Sequence, residues 1–219
     1  RGLGDVYKRQ AEAVLAVKSV LVDLNDAAAT LPNSYNSVEN ITPLETPLSS
    51  TINGAALATP VFLSLYAEND LRLDKYFAET DEKGFRKNKK AGSNNYLCTF
   101  RVGEIYLTAA EAAARLGELS QARTRLLELM RKRYAPEAYE AKSVVVNAMD
   151  KEALVQEILD ERARELAFEG HRWFDLRRST RPRLEKVLDG TRYVLEENDA
   201  RYTLAIPKEA IEANPGLLN

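Results

Sequence analysis

Arg101-Val102-Gly103-Glu104-Ile105-Tyr106-Leu107-Thr108-Ala109-Ala110-Glu111-Ala112-Ala113-Ala114-Arg115-Leu116-Gly117 opens the stretch, residues 101–134, on which the fold turns. Ile105, Ala109, Ala112, Ala113 and Leu116 recur at helical spacing and make one continuous apolar face. Because that face is mostly alanine, a second helix can approach closely. Ala122, Leu126, Leu129 and Met130 give the second helix a matching face after the turn Gly117-Glu118-Leu119-Ser120, with Ser120 expected as its N-cap. One such hairpin cannot cover both of its own faces, so further helices must pack on it.

Downstream, the spacing of Leu154, Val155, Ile158, Leu159, Ala163, Leu166 and Ala167 predicts a third long helix from an N-cap at Asp150 to a C′ residue at Gly170. Glu157, Glu161, Glu165 and Glu169 lie four apart on it, and like charges at that spacing repel. An arginine lattice is expected to neutralise them. The candidates are Arg162 and Arg164 on the same helix, Arg172, Arg177 and Arg178 after Gly170, and Arg131 and Arg133 on the helix before. Trp173 and Phe174 are expected to pack in the core.

Elsewhere the signals are weaker. Val14, Val17, Leu21 and Leu24 predict a helix over 11–28. Pro32, Pro43, Pro47 and Pro60 among Asn, Ser and Thr predict an irregular loop over 31–60. From Pro60 a short helix and a turn at Glu68-Asn69-Asp70 are expected, and the lysine-rich 79–95 stretch reads as a solvated loop or hairpin. Near the end a β-hairpin is expected to join Tyr193-Val194-Leu195 to Tyr202-Thr203-Leu204, followed by a helical turn after Pro207. The fold class is therefore mainly α: a tetratricopeptide-like helical hairpin, further helices, long irregular loops and a small β-hairpin near the C-terminus.

Composition excludes several classes of function. Lys plus Arg is 31 and Asp plus Glu is 33, a net charge of −2, so no nucleic-acid partner is expected. One cysteine, Cys98, and one histidine, His171, make neither a disulfide framework nor a Cys/His zinc module, and no metal or cofactor is expected. Lys18, Asp23 and Asp26 interrupt the apolar run 14–29, so it is not a membrane span. Residues 1–10 (RGLGDVYKRQ) resemble translated sequencing-adapter read-through and are expected to be non-native or disordered, with the fold in 11–219.

The glutamate stripe also raises the question of catalysis. A di-iron carboxylate bundle needs Glu-x-x-His pairs, and Phe168 stands three before His171. A zinc peptidase needs two histidines one turn apart. A glycoside hydrolase needs only two carboxylates, which two of Glu161, Glu165 and Asp175 would supply. Arg172, Arg177, Arg178, Arg181 and Arg183 around Trp173 and Phe174 admit a base-stacking reading, but neighbouring acids and the near-zero net charge favour pairing within the protein.

Several of these residues carry a family resemblance. Phe100-Arg101-Val102-Gly103-Glu104-Ile105-Tyr106-Leu107, Ala110-Glu111-Ala112, Asp160-Glu161-Arg162, and Glu165-Leu166-Ala167-Phe168-Glu169-Gly170-His171-Arg172-Trp173-Phe174-Asp175-Leu176-Arg177-Arg178 resemble, in order and spacing, the C-terminal region of the SusD/RagB family. Ile206-Pro207, Asn214-Pro215 and Asn219 extend the likeness to the end, and Tyr66-Ala67-Glu68-Asn69-Asp70-Leu71-Arg72 extends it upstream.

The resemblance implies the C-terminal part of a single SusD-like domain, in a non-enzymatic lipoprotein on the outer face of the outer membrane. Such a protein binds oligosaccharides or other nutrients and passes them to a TonB-dependent, SusC-like transporter. The membrane anchor would be a lipidated cysteine upstream of these residues, not Cys98. The matching motifs are scaffold motifs and do not name the ligand. Sugar recognition needs an aromatic face and side chains that bond hydroxyls, and Asn33, Tyr35 and Asn36 are the best local match. A tetratricopeptide-type protein-interaction scaffold and a glycoside hydrolase are the alternatives.

Overall fold

The computed structural model describes residues 3–43, 57–90, 100–188, 190–214 and 216. Cys98, Pro47, Pro215 and Asn219, named above, lie outside them. The chain divides into two compact units, Arg1–Arg172 and Trp173–Asn219.

The first unit is helical at its centre. Its elements are α1 (Leu3–Val17), β1 (Asn40–Thr42), β2 (Leu57–Ala58), α2 (Pro60–Leu63), α3 (Arg72–Tyr76), β3 (Phe77–Thr80), β4 (Arg86–Asn88), β5 (Phe100–Arg101), α4 (Val102–Arg115), α5 (Leu119–Met130), α6 (Pro136–Ala148) and α7 (Lys151–Glu165). The expected hairpin is α4–α5. Gly117, at φ 84°, ends α4 in a Schellman motif: its N–H donates to the Ala114 carbonyl (3.0 Å) and the Glu118 N–H to that of Ala113 (2.9 Å). The N-cap of α5 is Glu118, without a side-chain bond, rather than Ser120, because this turn delivers the chain already coiled.

The alanines of α4 are buried against α1, α5 and α7, and Leu126, Leu129, Met130, Val146, Leu154 and Ile158 complete that core. α6 carries no legible apolar stripe, since Val146 is its one buried residue. A second, aromatic cluster gathers Tyr66, Tyr76 and Phe77 with Phe62 and Phe168 in edge-to-face pairs. Strands are short: β1 pairs with β5, and β2-β4-β3 form an antiparallel sheet.

Two helices end earlier than their periodicity predicts, for one physical reason. Past Val17 the backbone finds partners outside its own helix: Val22 N–H donates to Glu39 Oε1 (2.9 Å), Val22 O accepts from Arg133 (2.6 Å), and Leu24 N–H donates to Lys132 O (2.9 Å). The helix expected over 11–28 is instead Leu3–Val17, and residues 3–10 are helical. α7 keeps the expected cap, with Asp150 accepting from the Ala153 N–H (2.9 Å), but stops at Glu165 rather than Gly170. Its freed carbonyls are taken by cations: Glu165 O by Arg101 and Lys90 (both 2.9 Å), and Ala167 O by Lys90 (3.2 Å). Phe168 then turns through φ 62° and Gly170 through φ 86°.

In the second unit α8 (Arg172–Arg178, whose first residue closes the first unit) leads to a hairpin of β6 (Leu184–Leu188) and β7 (Thr191–Leu195), a 3₁₀ turn (Ala200–Tyr202) and α9 (Lys208–Ala213). The expected partner of 193–195 was 202–204; the observed one lies upstream, with Leu184 opposite Leu195. The sequence there carries Asp189-Gly190, a dipeptide favoured by two-residue hairpin turns, and Gly190 has φ 77°. Trp173 stacks on the buried Tyr202 ring at 5.2 Å and 12°, as a core aromatic should, whereas Phe174 is 63% exposed, contrary to expectation.

Leu126 is fully buried in the α4–α5 seam. Leu126→Ala should lower unfolding free energy by about 2–5 kcal/mol and Val144→Ala, on an exposed face of α6, by less than about 0.5 kcal/mol; urea denaturation that shows equal losses would refute this packing.

Candidate functional site

The glutamate stripe is buried, and its neutralising cations come from across the chain. Glu165 lies at the centre. Its Oε1 accepts from Arg101 (2.6 Å) and Arg133 (2.9 Å), and its Oε2 from Arg133 (2.9 Å) and Arg72 (3.1 Å), so three guanidinium groups share one carboxylate. Glu161 accepts from Arg72 (2.6 Å), Arg164 (2.8 Å) and the Tyr134 hydroxyl (3.4 Å). Glu169 takes a bidentate pair from Arg101 (2.9 Å each) and a further bond from Lys90. Asp70 binds Arg72 through both oxygens, and Glu39 accepts from Arg133 (2.5 Å) and Arg101 (3.0 Å). Glu157, at the rim, accepts from Arg164 (2.5 Å) and pairs with Lys142 (3.0 Å).

Six carboxylates thus meet six cations, Arg72, Lys90, Arg101, Arg133, Arg164 and Lys142, and the lattice buries no net formal charge. That balance lets it exist, since an unpaired charge in this interior would cost several kcal/mol. Aromatic faces close it off: the Arg72 guanidinium lies 5.2 Å from the Tyr134 ring centre and 5.9 Å from that of Tyr66, and the Lys90 ammonium 4.3 Å from Tyr76.

Burial alone would raise the carboxyls of Glu161, Glu165 and Glu169, but the facing cations outweigh it and hold all three below the ordinary glutamate value, Glu165 well below. For Lys90 the balance falls the other way: burial pulls its ammonium down to about 8 even against Glu169. Burial likewise pushes the Tyr66, Tyr76 and Tyr134 hydroxyls up.

The lattice corrects two expectations. Arg133 and Arg164 reach the stripe as expected, but its other buried cations are Arg72, Arg101 and Lys90, not Arg172, Arg177 and Arg178. Arg172 is exposed, and Arg178 pairs with Asp175 (2.6 Å) inside the second unit. Lys90, within the 79–95 stretch read as solvated, is 3% exposed. The carboxylates named for the hydrolase alternative are all out of water: Glu161 and Glu165 are fully buried and bound to arginine, and Asp175 is buried and paired with Arg178. Among the described residues no group of His, Cys, Asp and Glu side chains could hold a metal ion, and no helix is long and apolar enough to cross a membrane.

The other motif residues hold the scaffold. Glu104 lies 3.6 Å from His171 and 3.8 Å from Arg162. The buried Tyr106 donates to Ser19 O (3.1 Å), and Glu111 pairs with Arg115 (2.9 Å). Gly103 has a sharper role. A Cβ there would stand 2.5 Å from the Arg101 guanidinium and 3.1 Å from carboxylate oxygens of both Glu165 and Glu39.

On the surface beside the lattice lies the loop that holds Asn33, Tyr35 and Asn36. The structure separates these three. Asn33 is 1% exposed and donates to the Lys90 carbonyl (2.9 Å), whereas Tyr35 is 49% exposed and Asn36 is exposed beside it. The loop therefore presents an aromatic ring and a primary amide from a backbone anchored to charged core residues. Glu39, the residue before β1 and wholly buried, is the lattice member that sequence reasoning missed; an isolated acid in a polar loop carries no local signal of burial.

The SusD family model matches residues 57–219, which include every lattice member except Glu39. Two solved structures share the fold. A SusD-like carbohydrate binding protein from Bacteroides vulgatus ATCC 8482 is 18% identical with a TM-score of 0.63, covering 95% of this chain and 54% of its own. A SusD superfamily protein from Bacteroides fragilis is 21% identical with a TM-score of 0.62, covering 97% of this chain and 54% of its own. The chain spans about half the length of the structures it matches. No curated protein matches it.

Two predictions follow from the lattice geometry. On helix propensity alone Gly103→Ala should stabilise α4 by about 1 kcal/mol; the clash with Arg101 reverses the sign, and denaturation should show a loss of about 2–4 kcal/mol, a gain being the contrary result. The folded values of Glu161, Glu165 and Glu169 lie below their unfolded ones, so the unfolded chain binds more protons in acid. Stability is therefore full above the ordinary glutamate range and falls as pH drops through that range and then through the lowered folded values. Urea midpoints should decline between about pH 5 and pH 3; midpoints that stay flat would contradict the paired carboxylates.

Proposed function

The chain belongs to the SusD family, and from that premise we propose that it forms the C-terminal part of a larger SusD-like domain that binds oligosaccharides at the cell surface. The bound sugar passes to a TonB-dependent, SusC-like transporter in the outer membrane, and a lipid anchor outside these residues holds the protein there. The protein binds its ligand and does not cleave it.

The observation that carries this reading is the loop at Tyr35 and Asn36. An exposed tyrosine offers a flat apolar face to the C–H face of a sugar ring, and the neighbouring amide both donates to and accepts from hydroxyls. The carboxylates that hydrolysis would need are committed to arginines inside the scaffold. Coverage of about half of each matched structure supports a larger domain, and the "carbohydrate binding" description of the Bacteroides vulgatus protein supports the ligand class.

The test is a printed oligosaccharide array probed with the full chain and with Tyr35→Ala. Wild type should bind at least one class of sugar and release it intact after long incubation, and Tyr35→Ala should weaken binding about tenfold or more, a loss of about 1.4 kcal/mol. Cleavage of the bound sugar, or unchanged binding by Tyr35→Ala, would refute the assignment.

A further inference from the structure

The loop at Tyr35 is fastened at both ends and across its middle, and its fasteners lead into the buried lattice. At its start the Asn33 amide donates to the carbonyl of Lys90, whose own ammonium binds Glu169, Glu165 O and Ala167 O. At its end Glu39 accepts from Arg133, Arg101 and the Val22 N–H, while its carbonyl accepts from the Val102 N–H (2.9 Å) at the head of α4. Between them one side chain spans the turn: the Asn40 amide donates to Ser34 O (2.5 Å) and Tyr35 O (2.7 Å). Local bonds shape the rest, from Ser37 N–H to Ser34 O, Asn40 N–H to Ser37 O, and Glu39 N–H to Ser37 Oγ.

Such fastening exceeds what a connecting loop needs. Asn33, Glu39 and Asn40 are all at least nine-tenths buried, whereas Tyr35, Asn36 and Val38 face solvent. Buried polar side chains that accept or donate to a loop backbone reduce the freedom it would lose on binding, and pre-organisation of that kind raises affinity without adding a contact. We propose that Asn33, Glu39 and Asn40 are positioning residues that hold Tyr35 and Asn36 as a preformed carbohydrate-contact loop, with the ionic lattice as its rigid base. This inference rests on the carbohydrate reading above.

The experiment compares wild type with Asn40→Ala, and with Asn33→Ala as a second variant in case the first fails to fold. Neither removes a charge from the lattice. Amide hydrogen exchange over 34–38 reads the fastening, and calorimetry with the strongest-binding sugar from the array reads the consequence. The expected result is exchange about tenfold faster at 34–38 alone and affinity about tenfold weaker, with the exchange of α4 and α7 unchanged. Exchange that does not move in either variant would overturn the inference. So would faster exchange with unchanged affinity, which would leave the carbohydrate reading standing. An array silent for wild type would overturn both.

Discussion

The structure depends on one buried carboxylate. Glu165 sits at the C-terminal end of α7, wholly out of water, beneath the guanidinium groups of Arg72, Arg101 and Arg133. Those arginines come from α3, β5 and the turn after α5, so satisfying one charge brings together segments more than 90 residues apart in sequence. Coulomb attraction is strong in such an interior, and so is the penalty for any member left without a partner. The cluster therefore specifies an arrangement more than it adds net stability: exchanging the whole set for well-packed apolar groups can be neutral, while deleting one member is not.

This constraint explains local features that propensity does not. The chain after Val17 leaves helical conformation although Leu21 and Leu24 continue the apolar period, because Glu39 and Arg133 take the backbone groups of Val22. α7 ends at Glu165 because Arg101 and Lys90 occupy the carbonyl of that residue. Gly103 is needed for the space its missing side chain leaves to Arg101. The same base reaches the surface through Asn33 and Glu39, and so the scaffold and the proposed ligand loop are mechanically continuous.

What was legible in the sequence was local or periodic. The α4–α5 hairpin follows from its alanine face, and the cap at Asp150 from its side-chain chemistry. Four glutamates at helical spacing announced that a lattice of cations must exist. Which cations answer them was not legible, because Arg72, Lys90 and Arg101 meet the stripe only through tertiary contacts, and Arg172 to Arg178 were nearer in sequence alone. The β-hairpin of 184–195 shows the same limit in miniature: the strand at 193–195 is legible from its own residues, but its partner is the upstream 184–188 and not the downstream 202–204. Asn33, selected for the chemistry of its amide, spends that amide on the Lys90 carbonyl, so residue type indicated the loop but not which of its side chains face solvent.

The most direct test of this account is the unfolding free energy of Glu165→Gln, which keeps the shape of the side chain and removes its charge. Leaving three guanidinium groups under-compensated in the interior should cost about 3–5 kcal/mol, read by urea denaturation at neutral pH. A loss below about 1 kcal/mol, in the range of an exposed ion pair, would contradict the claim that this carboxylate organises the fold.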